Sequence, residues 1–226
     1  MSLSIAFAGL IAGTIVWALL VSRLTAKPWL TKGSIGALKE GGETDLPPAK
    51  IGLWIFLGVV TSLFGLFITA YHMRMMEGMQ HGDWQHFPIP PLLWVNTAML
   101  MLGSIAMQSA RGAAERGERG PLFARLLAGG LLTGAFLFGQ LLAWREVTGT
   151  PYLLARNPAT AFFYLLTAVH GLHLVGGLAV WARTIRRLTA PAVKSPDLAL
   201  TVGLCTVYWH YLLLVWLVLF GLMLST

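Results

Sequence analysis

Charged residues are scarce in this chain of 226 residues, and that scarcity argues against a soluble domain. Only 11% of the residues are charged, 56% are hydrophobic, and the mean hydropathy is +0.70. A soluble domain usually carries about 25% charged residues. All nine Asp and Glu residues lie in loops or at the ends of apolar runs. A pump or antiporter that carries protons on acidic side chains in its membrane core is therefore not expected.

Cysteine is nearly absent, and the common catalytic motifs are missing. The single cysteine, Cys205, supports neither a disulfide framework nor a thiolate metal site. The sequence contains no phosphate-binding glycine loop, no catalytic triad and no H-E-x-x-H motif. The net charge of +7 does not indicate a nucleic-acid partner, because the Lys and Arg residues flank apolar runs.

Six long apolar runs dominate the chain. Each is near or above the roughly 20 residues that cross a bilayer as a helix, and none alternates with the period of a barrel strand. No positively charged segment precedes the first run, so we interpret it as a retained helix rather than a signal peptide. The sequence predicts an all-α polytopic membrane helix bundle with six transmembrane helices, approximately Leu3–Val21, Ile51–Tyr71, Leu92–Ala110, Leu122–Trp144, Ala159–Trp181 and Leu198–Leu224.

Basic residues alternate between the loops that join these runs. The first, third and fifth loops carry five, four and four Lys or Arg residues, whereas the second and fourth carry one and two. Cytoplasmic loops of membrane proteins are the ones enriched in Lys and Arg. The pattern therefore predicts that the first, third and fifth loops are cytoplasmic and that both termini are periplasmic.

Several polar side chains lie inside the apolar runs, above all in the fifth, FFYLLTAVHGLHLVGGLAVW. Polar groups at membrane depth are costly and normally face a bundle interior. Two histidines on different helices, His170 and His210, have similar predicted depths and could approach each other. They could ligate a haem, or they could be a structural pair, hydrogen-bonded across helices or to lipid headgroups and water. We expect a structural polar cluster of His170, His173, His210, Trp209, Thr167, Gln140 and Asn96.

That fifth run, combined with YWHYLLLVWLVLFGLM in the sixth, resembles subunit III of the haem–copper oxidases, typified by cytochrome c oxidase. Three further stretches are similar to the same family: KIGLWIFLGVVTSLFGLFITAY, the run with Asn96 and Thr97, and GAFLFGQLLAW. The resemblance extends from about Lys50 to Leu224. It implies an extra N-terminal transmembrane helix and cytoplasmic loop over residues 1–49, and a subunit III-like five-helix bundle over residues 50–226.

The resemblance implies a non-catalytic subunit of a bacterial respiratory oxidase in the inner membrane. Such a subunit packs against and stabilises catalytic subunit I and contacts other oxidase subunits and membrane lipids. Haem and copper are expected in the partner, with no catalytic, cofactor or metal ligand in this chain, and bound phospholipid is compatible with the family's lipid cleft. His170, His173 and His210 match family positions.

The sequence departs from the family at three acidic positions, which are occupied here by Val60, Ala143 and Leu213. Their absence keeps a variant open, the subunit III-like protein associated with nitric oxide reductases. An independent b-type haem protein and a small transporter are alternatives from other classes. Inverted repeats would favour a transporter, and the sequence shows none.

Overall fold

The computed structural model describes residues 47–84, 89–148, 157–189 and 195–225. These residues form five helices: α1 (Pro48–His81), α2 (Leu92–Glu115), α3 (Arg119–Thr148), α4 (Pro158–Leu188) and α5 (Ser195–Leu224). All five are long and apolar enough to cross a membrane, and no strand occurs in the described ranges. An all-helical membrane fold is therefore confirmed. The predicted helix Leu3–Val21 lies outside the described residues, so the count of six stays a prediction.

The helices extend beyond the apolar runs that predicted them. α1 continues ten residues past Tyr71, and α2 continues five residues past Ala110. Apolar runs mark the hydrocarbon region, whereas a helix continues until its backbone is interrupted. Here the interruptions are Gly82 and Gly117, both with φ of 73°. Glycine reaches this left-handed region without steric cost, and it commonly stands just after the last helical residue.

The chain divides into two compact units, Met1–Gly65 and Leu66–Thr226, and the boundary falls within α1. In the described part of the first unit, two hydroxyls bond within the helix itself. Thr61 donates to the carbonyl of Leu57 at 2.7 Å, and Ser62 donates to the carbonyl of Gly58 at 3.0 Å. Backbone oxygens of the same helix thus satisfy these side chains at membrane depth.

In the second unit, α2 and α3 run antiparallel and in close contact. They are joined by residues 116–118. Gly103 on α2 lies opposite Gly129 and Leu132 on α3, whereas Asn96, two turns earlier, lies opposite Gly139. Residue numbers therefore increase along α2 while they decrease along the facing part of α3, as they do in an antiparallel pair. Small residues at these crossings let the backbones approach closely, as is common in membrane bundles.

Cross-helix hydrogen bonds place α4 beside α3 and α5 beside α2, again antiparallel. Trp181 and Tyr164 of α4 donate to the carbonyls of Leu126 and Trp144 of α3. Thr206 of α5 donates to the carbonyl of Met107 on α2 at 3.1 Å. Thr184 of α4 also lies against Cys205 of α5. Helices α2 to α5 therefore form an up-and-down bundle of four helices.

The two ends of this bundle differ in charge. At one, which we call the basic end, α2 and α4 finish and α3 and α5 begin. At the opposite end, α2 and α4 begin and α3 and α5 finish. The start of α4 there is capped by Asn157, whose side chain accepts a hydrogen bond from the backbone of Ala159 at 3.0 Å. The basic end carries Arg111, Arg116, Arg119, Arg125, Arg183, Arg186 and Arg187.

Candidate functional site: the polar interior of the bundle

Three tryptophan–threonine pairs tie the bundle helices together. Each indole N–H donates to a threonine hydroxyl on a neighbouring helix at 2.9 Å. Each of those hydroxyls in turn donates to the carbonyl four residues earlier in its own helix, at 2.7–2.8 Å. The pairs link α3 with α4, α3 with α5, and α2 with α5: Trp144–Thr167, Trp209–Thr133 and Trp216–Thr97.

The threonine hydroxyl suits this role because it is both donor and acceptor. The hydroxyl donates its hydrogen to a backbone carbonyl of its own helix. Its oxygen accepts a hydrogen bond from the indole N–H, which can only donate. Both partners are therefore satisfied without water, as the membrane interior requires. Of the predicted cluster, Thr167 and Trp209 belong to these pairs. Sequence reasoning did not identify their partners, Trp144 and Thr133, because the pairing depends on how the helices align.

His170 lies in the bundle interior among aromatic rings. It is fully buried, and its ring lies 5.9 Å from that of Phe136 on α3 and 5.3 Å from that of Trp216 on α5, measured between centroids. The Phe136 ring meets it edge-on, at an interplanar angle of 83°. His170 thus packs as part of an aromatic core that joins three helices.

The other two histidines have different surroundings. His173 Nδ1 lies 2.8 Å from the carbonyl of Val169 in its own helix, and the His173 carbonyl accepts a hydrogen bond from Tyr208 at 3.0 Å. His210 is exposed on α5 and bonds through its two ring nitrogens to Ser104 and Gln108 of α2.

The structure does not bring His170 and His210 together. His170 lies at the level of Trp216 on α5. Trp216 is six residues beyond His210, which separates the two residues by about 9 Å along the helix axis. One ring is interior and the other faces outward across the α2–α5 seam. Within the described residues, moreover, no group of three or more His, Cys, Asp or Glu side chains could hold a metal ion.

Two buried amides complete the polar interior. Asn96 on α2 is fully buried, and Gln140 on α3 is only 3% exposed. The Asn96 amide lies across Gly139, where a Cβ atom would come within 2.1 Å of Asn96 Oδ1. None of the four polar atoms of these amides has a hydrogen-bond partner in the part of the chain that the structure describes.

The interior is neutral, and the acids of the described residues stay outside it. Glu115 and Glu118 form ion pairs with Arg111 and Arg116 at 2.9 and 2.8 Å near the basic end. The three positions at which the sequence resemblance would place acids differ in exposure: Val60 and Ala143 are buried, whereas Leu213 is half-buried. Indoles and hydroxyls paired across helices can hold the helices in register.

The sequence of the chain matches a known protein family. A family model described as cytochrome c oxidase subunit III matches residues 37–225. A protein of Mycobacterium tuberculosis (strain ATCC 25618 / H37Rv) named probable cytochrome c oxidase subunit 3 is 28% identical over 175 residues, which cover 76% of this chain and 84% of that protein. The cytochrome c oxidase subunit 3 of Thermostichus vulcanus is 26% identical over 76% of this chain and 85% of its own length.

A protein named as a subunit of a ubiquinol oxidase is also similar. The cytochrome bo(3) ubiquinol oxidase subunit 3 of Pseudomonas aeruginosa is 23% identical over 181 residues, which cover 80% of this chain and 84% of that protein.

Proposed function

The chain belongs to the cytochrome c oxidase subunit III family, and we propose that it is the non-catalytic membrane subunit of a bacterial haem–copper terminal oxidase. In this role it packs against catalytic subunit I, which reduces oxygen with electrons from cytochrome c, and it stabilises that subunit. Haem and copper belong to the partner. The observation that carries the proposal is the family match over residues 37–225. The interior of the described bundle supports it, because three tryptophan–threonine hydrogen bonds link its helices.

A stabilising role fits the side chains of the interior. A residue that moves protons in a membrane core is normally ionisable, such as Asp, Glu or His. In the described residues, the acids lie towards helix ends or between helices, and His170 is packed between aromatic rings. The cross-helix bonds instead hold four helices in one register. A rigid helical surface of this kind suits packing against a larger membrane subunit.

The test is to delete this subunit, purify the remaining oxidase and follow oxygen consumption over many turnovers. We expect the initial rate per haem to persist and the activity to decay faster than in the intact complex. Adding back the purified chain should restore the lifetime. An initial rate that vanished while the partner's haems were fully present would contradict a non-catalytic role.

The proposal includes a topology for the whole chain in the bacterial inner membrane. Residues 1–49 form an extra transmembrane helix and a cytoplasmic loop, and residues 50–226 form the five-helix bundle, with both termini periplasmic. The clustering of arginines at the basic end supports this orientation, because that end holds the loops after α2 and α4. Reporter fusions at Thr226 and near Ala113 test it, and a cytoplasmic C-terminus would overturn the orientation.

A further inference from the structure

We infer that the buried amides of Asn96 and Gln140 form an internal water-binding site between α2 and α3, towards the opposite end of the bundle. This inference does not depend on the proposed function. It rests on the burial of the two side chains, on their common level in the bundle and on the four amide atoms that lack a protein partner.

The two amides lie at the same level of the bundle. Asn96 packs against Gly139, the residue immediately before Gln140 on α3. On α3, Gln140 continues the stripe of Thr133 and Phe136, whose side chains contact α5 across the bundle. Positions spaced three, four and seven residues apart share one face of a helix. Gln140 therefore projects into the bundle interior, where Asn96 is fully buried.

Leaving four amide atoms unpaired in the interior would be costly. A buried donor or acceptor without a partner keeps the full cost of losing its water, and the hydrocarbon around the bundle supplies no hydrogen bonds. A buried water molecule typically makes about three hydrogen bonds to polar groups that would otherwise be unsatisfied. The amides offer two acceptor oxygens and two donor nitrogens, which match the donors and lone pairs of water.

The surroundings select water over other ligands. A lipid headgroup cannot reach side chains that are 0% and 3% exposed. A cation or anion would need a compensating charge, and the acidic and basic side chains of the described helices lie towards the helix ends. A small neutral molecule that both donates and accepts hydrogen bonds remains.

The direct test is a structure of the full chain, in the membrane complex with which it purifies and in lipid nanodiscs, at a resolution that shows ordered water. We expect density about 2.7–3.2 Å from amide atoms of both Asn96 and Gln140. The Trp216–Thr97 pair nearby serves as an internal control, because its two atoms already satisfy each other. Amides that bond directly to each other or to other protein groups, with no density between them, would overturn the site.

A pair of substitutions gives a second test. Asn96→Leu and Gln140→Leu should each lower the midpoint of unfolding, because each leaves water and the other amide with fewer partners. In the double variant, the water density between the two side chains should disappear. Its midpoint of unfolding should fall by less than the sum of the two single losses, because two leucines leave no amide atom unsatisfied. Strictly additive losses would contradict a shared site. If a variant does not fold, the density in the unmodified complex still decides.

Discussion

The basic and opposite ends of the four-helix bundle are held together in different ways. Near the basic end, the core is an apolar cluster: Met107, Ala110, Ala113, Ala114, Leu122, Leu126, Leu188, Leu198, Val202, Cys205 and Trp209. Towards the opposite end, the interior contains two amides, a buried histidine and two of the tryptophan–threonine pairs. The same four helices therefore have an apolar core at one end, where Trp181 and Thr206 donate to backbone carbonyls, and a polar interior at the other.

The difference shows what each kind of packing contributes in a membrane. Lipid tails are as apolar as leucine, so burying leucine against leucine gains little beyond close packing. Hydrogen bonds between helices fix distance and rotation, because their geometry is narrow. The apolar end thus depends on the fit of its side chains, and the polar end depends on its bonding partners. Substitutions that affect only one of these properties should separate the two ends.

The largest effect is expected in the apolar cluster near the basic end. Leu126→Ala opens a cavity in the apolar cluster, since Leu126 is fully buried. We expect a loss of about 2 kcal/mol, at the low end of the range for such changes, because the unfolded chain also leaves its side chains in lipid. Denaturant unfolding of the purified chain in micelles measures it. The neighbouring Leu127→Ala, at an exposed position, is the matched control, and equal losses would contradict the argument.

Overpacking the polar end should have the next largest effect. Gly139→Ala places a methyl group 2.1 Å from Asn96 Oδ1 and forces the buried amide to move. We expect a loss of about 1–2 kcal/mol, typical of added volume in a packed interior. Gly134→Ala on the same helix is the control, because no atom of another helix lies within 4 Å of its added carbon. If both variants unfold at the same midpoint, the close contact of Asn96 with α3 is wrong.

Removing one hydrogen-bond acceptor should have a smaller effect. Thr97→Val keeps the side-chain shape and leaves the buried indole N–H of Trp216 without its acceptor. We expect a loss of about 1 kcal/mol, within the range measured between membrane helices. Thr201→Val is the control, since that hydroxyl bonds to the Asp197 carbonyl of its own helix at 2.8 Å. A double-mutant cycle with Trp216→Phe separates the bond from the change in ring size, and a coupling energy near zero would contradict the pair.

The helices could be predicted from the sequence, because length and hydropathy alone decide which segments can cross a bilayer. The apolar runs found all five described helices but ended α1 at Tyr71, although the helix continues to His81. The apolar runs could not predict this boundary. A transmembrane helix continues beyond the hydrocarbon region of the bilayer for as long as its residues favour helix. MRMMEGMQH contains such residues, and the chain first takes a left-handed conformation at Gly82.

The interior could be predicted only in part. The rule that polar groups avoid lipid placed Asn96 and Gln140 inside the bundle, where both are buried. The same rule could not place His210, which is exposed and bonds along the α2–α5 seam. Partners depend on the rotation and register of neighbouring helices, and a single sequence contains neither. For that reason the Trp216–Thr97 bond, between residues 119 positions apart, could not be predicted.

The smallest effect is expected at the surface of the basic end, in the turn between α2 and α3. Hydrogen bonding to Arg116 lowers the pKa of Glu118 below its usual value. A carboxyl group with a lowered folded pKa stabilises the fold at neutral pH and loses that contribution as the pH falls through the folded pKa. Glu118→Gln should therefore lower the unfolding midpoint slightly at about pH 7, and the difference from the unmodified chain should disappear as acid protonates the carboxyl group in the folded state. Because the pair is exposed, added salt should also remove the difference. A difference that persists in acid would mean that Glu118 acts through packing rather than charge.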